Sequence, residues 1–218
     1  MKLSKYIDHT LLKADASVDA IKTLCKEAIE YDFKSVCVNA CNIELCKQEL
    51  KGSDVLVCTV IGFPLGAMST EAKVFETSDA ISKGADEIDM VINIGRLKDK
   101  DLDYCIDEIK KIKAACGNHI LKVIIETCLL SDEQIIDACN CVLEAKADFV
   151  KTSTGFSTSG ATFEGVALMK KTVGDKCLIK AAGGVRSHED MLKMIELGAN
   201  RIGTSSGTKL ISIGEEIA

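Results

Sequence analysis

Short aliphatic runs alternate along the chain with longer stretches in which apolar residues recur every three or four positions. The runs have the length and β-branched content of buried strands, and the stretches have the period of amphipathic helices. Residues 6–10 form a short apolar-polar strand segment. Residues 16–31 follow as a helix, with Ser17 as N-cap and Val18, Ile21, Leu24, Cys25, Ala28 and Ile29 on one face. The pattern then repeats. Strands are expected at 35–38, 55–61, 87–91, 121–125, 149–151, 178–181 and 201–203. Helices are expected between them at 42–50, 70–83, 102–116, 131–145, 163–173 and 187–197, and a short one closes the chain. Thr70-Glu71 opens the third helix, Ser131-Asp132-Glu133-Gln134 reads as a capping box, and Ser187 reads as another N-cap.

Eight strands, each followed by a helix, specify one (β/α)8 TIM barrel over residues 1–218. An open doubly wound sheet is the alternative, because the outer strands are the weakest, above all residues 6–9. No linker or low-complexity tract interrupts the repeat.

Composition agrees with this picture. The chain is 47% hydrophobic but only 4% aromatic and has no Trp, so its core is aliphatic, as suits a parallel sheet covered by helices. A net charge of −6 without a basic stripe argues against nucleic acid as a partner. No apolar run approaches the length of a membrane span, and the N-terminal residues lack a hydrophobic signal core, so a cytoplasmic protein without membrane association is expected. The eleven cysteines include no C-x-x-C pair, and their odd number suits buried free thiols. His9, His119 and His188 lie far apart, and there is no G-x-G-x-x-G or P-loop motif, so neither a metal nor a cofactor is expected.

The charges change the picture. Four otherwise aliphatic strands carry one each, Asp89, Lys122, Lys151 and Lys180, spaced about one βα unit apart. A lone lysine in a strand more often snorkels to the rim. Four charges in step on consecutive strands point instead into one lumen and to chemistry there. Glycine-rich turns follow the last three strands: Thr152-Ser153-Thr154-Gly155, Ala182-Gly183-Gly184-Val185-Arg186 and Gly203-Thr204-Ser205-Ser206-Gly207. Barrels often bind a substrate phosphate on such loops and a short helix N-terminus. A lysine at the carboxyl end of a buried strand is where a barrel enzyme would keep a Schiff-base nucleophile, and a non-catalytic phosphate-binding barrel is the rival reading.

Five segments together resemble the deoxyribose-phosphate aldolase family. They are Ile7-Asp8-His9-Thr10-Leu11-Leu12-Lys13, Gly84-Ala85-Asp86-Glu87-Ile88-Asp89, Leu121-Lys122-Val123-Ile124-Ile125-Glu126-Thr127, Val150-Lys151-Thr152-Ser153-Thr154-Gly155-Phe156 and Ile179-Lys180-Ala181-Ala182-Gly183-Gly184-Val185-Arg186. The resemblance implies a cofactor-free class I aldolase on a (β/α)8 barrel. Such an enzyme cleaves 2-deoxyribose 5-phosphate reversibly to glyceraldehyde 3-phosphate and acetaldehyde, and its usual assembly is a homodimer. By position it implies Lys151 as the Schiff-base lysine and Lys180 as its acid/base partner. Asp89 is implied in water-mediated proton transfer with Lys122 in support. Asp8, Thr10 and Cys37 fall near the substrate, and Gly155, Gly183, Gly184, Ser205 and Ser206 fall at the phosphate. Some members carry a lysine where this chain has Phe156, and some extend into a tail ending in Tyr where this sequence reads Ile217-Ala218. Lys180 is expected to stay charged near the phosphate loop and so to favour a neutral Lys151.

Overall fold

The computed structural model describes residues 2–216, so Ile217 and Ala218 lie outside it. Among the described residues eight strands alternate with helices. In order these are β1 (Ile7–Leu11), α1 (Val18–Glu30), β2 (Ser35–Val38), α2 (Ile43–Glu49), β3 (Leu56–Ile61), α3 (Thr70–Ser82), β4 (Glu87–Val91), α4 (Ile94–Lys98) and α5 (Leu102–Cys116). Then follow β5 (Ile120–Ile124), α6 (Asp132–Glu144), β6 (Phe149–Lys151), α7 (Phe163–Val173), β7 (Leu178–Ala182), α8 (His188–Glu196), β8 (Arg201–Thr204) and α9 (Gly207–Leu210). Every neighbouring pair of strands is parallel, and β8 returns to pair with β1. The weakest of the expected strands is therefore a true one, shifted from residues 6–10 to Ile7–Leu11, and the sheet is a closed TIM barrel, not an open one.

Local chemistry sets the helix starts. Ser17, Ser131 and Ser187 accept the backbone N–H groups of Ala20, Gln134 and Asp190, as the sequence predicts. The box at Ser131 is complete, because the Gln134 side chain accepts the Ser131 N–H at 3.0 Å. The cap of α3 is Ser69, one residue before the expected opening at Thr70-Glu71. Helix α4 was not expected. It has only five residues, too few to show a period, and Asn93 caps it by accepting the Arg96 N–H. Strand β5 starts one residue earlier than expected, and β7 and β8 each run one residue further.

Outward-facing strand residues such as Val36, Val57, Ile88, Leu121, Val123, Val150, Ile179 and Ile202 are fully buried against the helices. There they meet apolar stripes such as Ile21, Leu24, Cys25 and Ala28 of α1. Each aliphatic side chain buried this way contributes about 1.5–3 kcal/mol. The inward side chains stack in layers from alternate strands. Ser35, Glu87 and Phe149 meet Arg201 in the lowest layer. Asp8, Cys58, Lys122 and Lys180 lie above it, and Cys37, Asp89 and Lys151 above those. The aliphatic core is thus outside the barrel, and the lumen is charged.

Among the described residues no helix is long and apolar enough to cross a membrane. All eleven cysteines are free thiols, and all but Cys41 and Cys128 are buried.

Candidate active site

Strand register places Asp89 beside Lys122 and Lys151 beside Lys180, and their shared parity turns all four into the lumen. The Asp89 carboxylate is the hub. Its Oδ1 lies 2.8 Å from Lys122 Nζ and accepts the Cys58 thiol at 3.1 Å. Its Oδ2 lies 2.8 Å from Lys151 Nζ and 2.7 Å from Lys180 Nζ. Lys122 also pairs with Glu87 at 2.6 Å, and Lys180 with Asp8 at 2.5 Å. The four residues that stand in step along the sequence therefore share one lumen, as expected, and within it the three lysines converge on the Asp89 carboxylate.

Burial alone would neutralise these groups. It pushes the Asp89 carboxyl up, but Lys122, Lys151 and Lys180 outweigh it and hold the group well below the usual carboxylate range. Asp8 is likewise held low, by Arg201 and Lys180 against burial. For Lys122 burial acts downward, and Asp89, Cys58 and Glu87 reverse it, so the ammonium is stabilised well above the ordinary lysine value. Lys180 is raised in the same way by Asp8 and Asp89. Its charge is secured by two carboxylates inside the lumen, and not by the phosphate loop as the sequence suggested. The neighbouring Cys58 thiol holds the Cys37 thiol down to about 7, while burial pushes Cys58 well up.

Two charged residues beneath this layer escaped the sequence reading. Arg201 donates to Asp8 through Nε at 2.7 Å and grips Glu87 with both terminal nitrogens, at 3.2 and 2.9 Å. Glu87 and Arg201 each begin a strand, where a charge reads as a solvated end. The available signal was their parity, since Glu87 stands two residues before Asp89 and shares its face of the strand.

Above the charges a cleft of about 540 Å³ opens at the carboxyl ends of the strands. Lys151, Thr10, Gly155, Gly183, Gly184, Ser205 and Ser206 all line it. Lys151 is the one member of the four-charge set that reaches this cleft. Asp89, Lys122 and Lys180 are fully buried below. Asp8 and Cys37 also lie below the cleft and do not line it. Gly155 has φ +84°, and a side chain there would project into open space, so its backbone can be approached closely. The Ser206 N–H is taken by the Thr204 hydroxyl, which leaves Ser206 its own hydroxyl to offer. Phe156 lines the cleft and packs edge-on against Phe63.

Glu126 also went unassigned. Nearly fully buried with a left-handed backbone, it accepts the Thr154 hydroxyl at 2.5 Å and the Thr154 N–H at 3.2 Å. Those bonds hold the loop that follows Lys151.

Cys37, Cys58 and Asp89 bring one sulfur or oxygen each within 4.8 Å of the others, close enough for three metal ligands. Both Asp89 oxygens, however, are shared among the side-chain nitrogens of three lysines, and Lys122 and Lys180 stay charged. A divalent cation would sit against those positive charges, and the donor set suits proton transfer better.

A model of the family described as DeoC/LacD family aldolase matches residues 2–212. A deoxyribose-phosphate aldolase of Finegoldia magna is 61% identical over 97% of this chain and 99% of its own length. One of Streptococcus sanguinis is 57% identical over 99% and 98%. Among solved structures, an aldolase described as QR15 superposes with a TM-score of 0.92 at 40% identity, covering 95% of this chain and 93% of that one. A deoxyribose phosphate aldolase from Aeropyrum pernix, described as tetrameric, gives 0.87 at 30% identity over 95% and 88%.

Proposed function

The chain belongs to the DeoC/LacD family of aldolases, and from that premise we propose how its lumen performs reversible aldol cleavage of 2-deoxy-D-ribose 5-phosphate to glyceraldehyde 3-phosphate and acetaldehyde. The observation that carries the residue roles is the convergence of Lys122, Lys151 and Lys180 on Asp89 beneath a glycine- and serine-lined cleft.

Lys151 is the nucleophile, because it alone of the three lysines lines the cleft. Its neutral amine adds to the substrate aldehyde carbon, and loss of water leaves a protonated imine. That cation accepts the electron pair of the C2–C3 bond, one carbon removed from the imine carbon, as that bond breaks. The substrate hydroxyl proton passes to a base, and glyceraldehyde 3-phosphate departs with an enamine left on Lys151. Protonation of the enamine carbon and hydrolysis release acetaldehyde and restore the amine.

Asp89 stays ionised and takes part in proton transfer through water, with Lys180 as the acid/base partner held next to Lys151 by strand register. Lys122 holds the other oxygen of Asp89 in place. Thr10 lies at the cleft wall, and Asp8 and Cys37 support the site from below. The substrate phosphate is assigned to Gly155, Gly183, Gly184, Ser205 and Ser206, whose backbone and hydroxyl donors line one cleft. The whole barrel is assigned as one catalytic domain. A cytoplasmic setting is supported by the eleven free thiols, which suit a reducing compartment. A homodimer is proposed on the resemblance, and sedimentation distinguishes it from a tetramer.

Borohydride reduction in the presence of acetaldehyde tests the central step. The expected product is a single ethyl adduct on the peptide containing Lys151. An adduct confined to another lysine removes Lys151 from its role.

A further inference from the structure

Four cations, Lys122, Lys151, Lys180 and Arg201, share the barrel interior with three carboxylates, Asp8, Glu87 and Asp89. In their ordinary ionisation states the seven groups sum to one uncompensated positive charge. A largely dry lumen penalises that surplus, so one cation is pressed to release a proton. Arg201 cannot be the donor, because a guanidinium does not deprotonate in proteins. The choice falls among the lysines, and the contacts decide it. Lys122 is held by Glu87 and Asp89, and Lys180 by Asp8 and Asp89. Among the described residues Lys151 has Asp89 alone.

We infer that Arg201 is a positioning residue whose permanent charge, carried through Asp8 and Glu87, makes Lys151 the amine that is free of its proton. Arg201 is nearly fully buried in the lowest layer and does not line the cleft, so it acts on the chemistry only through its neighbours. Its bond to Asp8 turns the other oxygen of that carboxylate toward Lys180. Its double grip on Glu87 leaves Oε2 within reach of Lys122 as well. Two of the three carboxylates are thereby committed to Arg201 and one lysine each, and the third is shared by all three lysines. The other groups around the set are Ser35, the Phe149 ring and the thiols of Cys37 and Cys58, and Lys13 and Arg186 line the cleft that Lys151 enters. Lys13 and Arg186 keep their charges in every variant, and the Cys37 thiol, held down to about 7, is taken out of the comparison by measuring all profiles in a Cys37→Ser background. The inference rests on Lys151 being the Schiff-base lysine.

The test is the pH profile of borohydride-trapped acetaldehyde adduct on Lys151. Arg201→Gln leaves three lysines facing three carboxylates, so its profile is expected to move to higher pH by about one unit or more. Glu87→Gln removes an anion and increases the surplus, so its profile is expected to move the other way. Arg201→Lys retains a cation and should stay nearer wild type than Arg201→Gln does. A merely structural role for these residues lowers the amount of active protein without moving the two profiles in opposite directions. If Arg201→Gln does not fold, Glu87→Gln carries the test alone, because it keeps the shape of Glu87, and its profile must fall in pH. Profiles that coincide with wild type, or that shift together, overturn the inference. Failure to trap Lys151 in the wild-type protein instead overturns the assignment of the nucleophile.

Discussion

Asp89 shows how far a single residue's properties depend on its company. Alone and buried it would be protonated, whereas with Lys122, Lys151 and Lys180 around it the carboxylate stays charged and can serve proton transfer. At the rim Ser206 offers a simpler case, since its N–H is already satisfied and its hydroxyl faces the cleft. Ser206→Asp would set a carboxylate where the substrate phosphate is assigned. KM for 2-deoxyribose 5-phosphate should rise about tenfold or more, which corresponds to about 1.4 kcal/mol, while KM for unphosphorylated deoxyribose should change little. Steady-state kinetics on both sugars checks this, and equal effects would move the phosphate elsewhere.

At the scale of the element, the strands supply the chemistry and the helices supply the stability. The strands, of three to six residues, carry the lumen charges inward, and most of their outward side chains are aliphatic. Helix α6 stands apart from the site, and its first turn is closed by the reciprocal Ser131–Gln134 bonds. Ser131→Ala removes an acceptor for the Gln134 N–H and should destabilise the fold by about 1 kcal/mol. Chemical denaturation should register this as a lower midpoint with an unchanged slope, and turnover at 25 °C should match wild type. A loss of turnover in the folded variant would show that α6 is coupled to the lumen.

For the whole molecule, the buried charges set the pH range of stability. Asp8 and Asp89 are depressed in the folded state, so their stabilisation is present above about pH 4 and is lost as pH falls toward their folded values. Lys122 and Lys180 are raised, so their contribution is present below about pH 10.4 and is lost as pH climbs beyond it. The buried Lys73–Glu108 pair outside the barrel runs the other way, because burial is the largest influence on both partners. Tm is expected to be flat through neutral pH and to fall at both ends, and Asp89→Asn should make the acid limb shallower. Thermal melts from pH 3 to 11 check both points. A Tm that rises on acidification below about pH 4 would mean that burying the lumen carboxylates costs more than their pairing returns.

Most of the fold was legible in one dimension. Strand and helix follow from short-range periodicity, and the serine caps from local hydrogen bonding, so eight βα units and the capping box at Ser131 could be read directly. The five-residue α4 could not, because it is shorter than the window in which a helical period shows. The charges Asp89, Lys122, Lys151 and Lys180 stood out because each interrupts an aliphatic run, and their spacing by one βα unit implied a common lumen. Glu87 and Arg201 did not stand out, because a charge at a strand's first residue looks solvated until barrel closure carries that end inside. Which carboxylate holds which cation was also beyond the sequence. Asp8 and Arg201 lie at opposite ends of the chain and meet only because β8 closes on β1. Residue types and periods are properties of neighbours along the chain. The pairing of charges in a low-dielectric interior depends on distances in space, and only the closed barrel determines those.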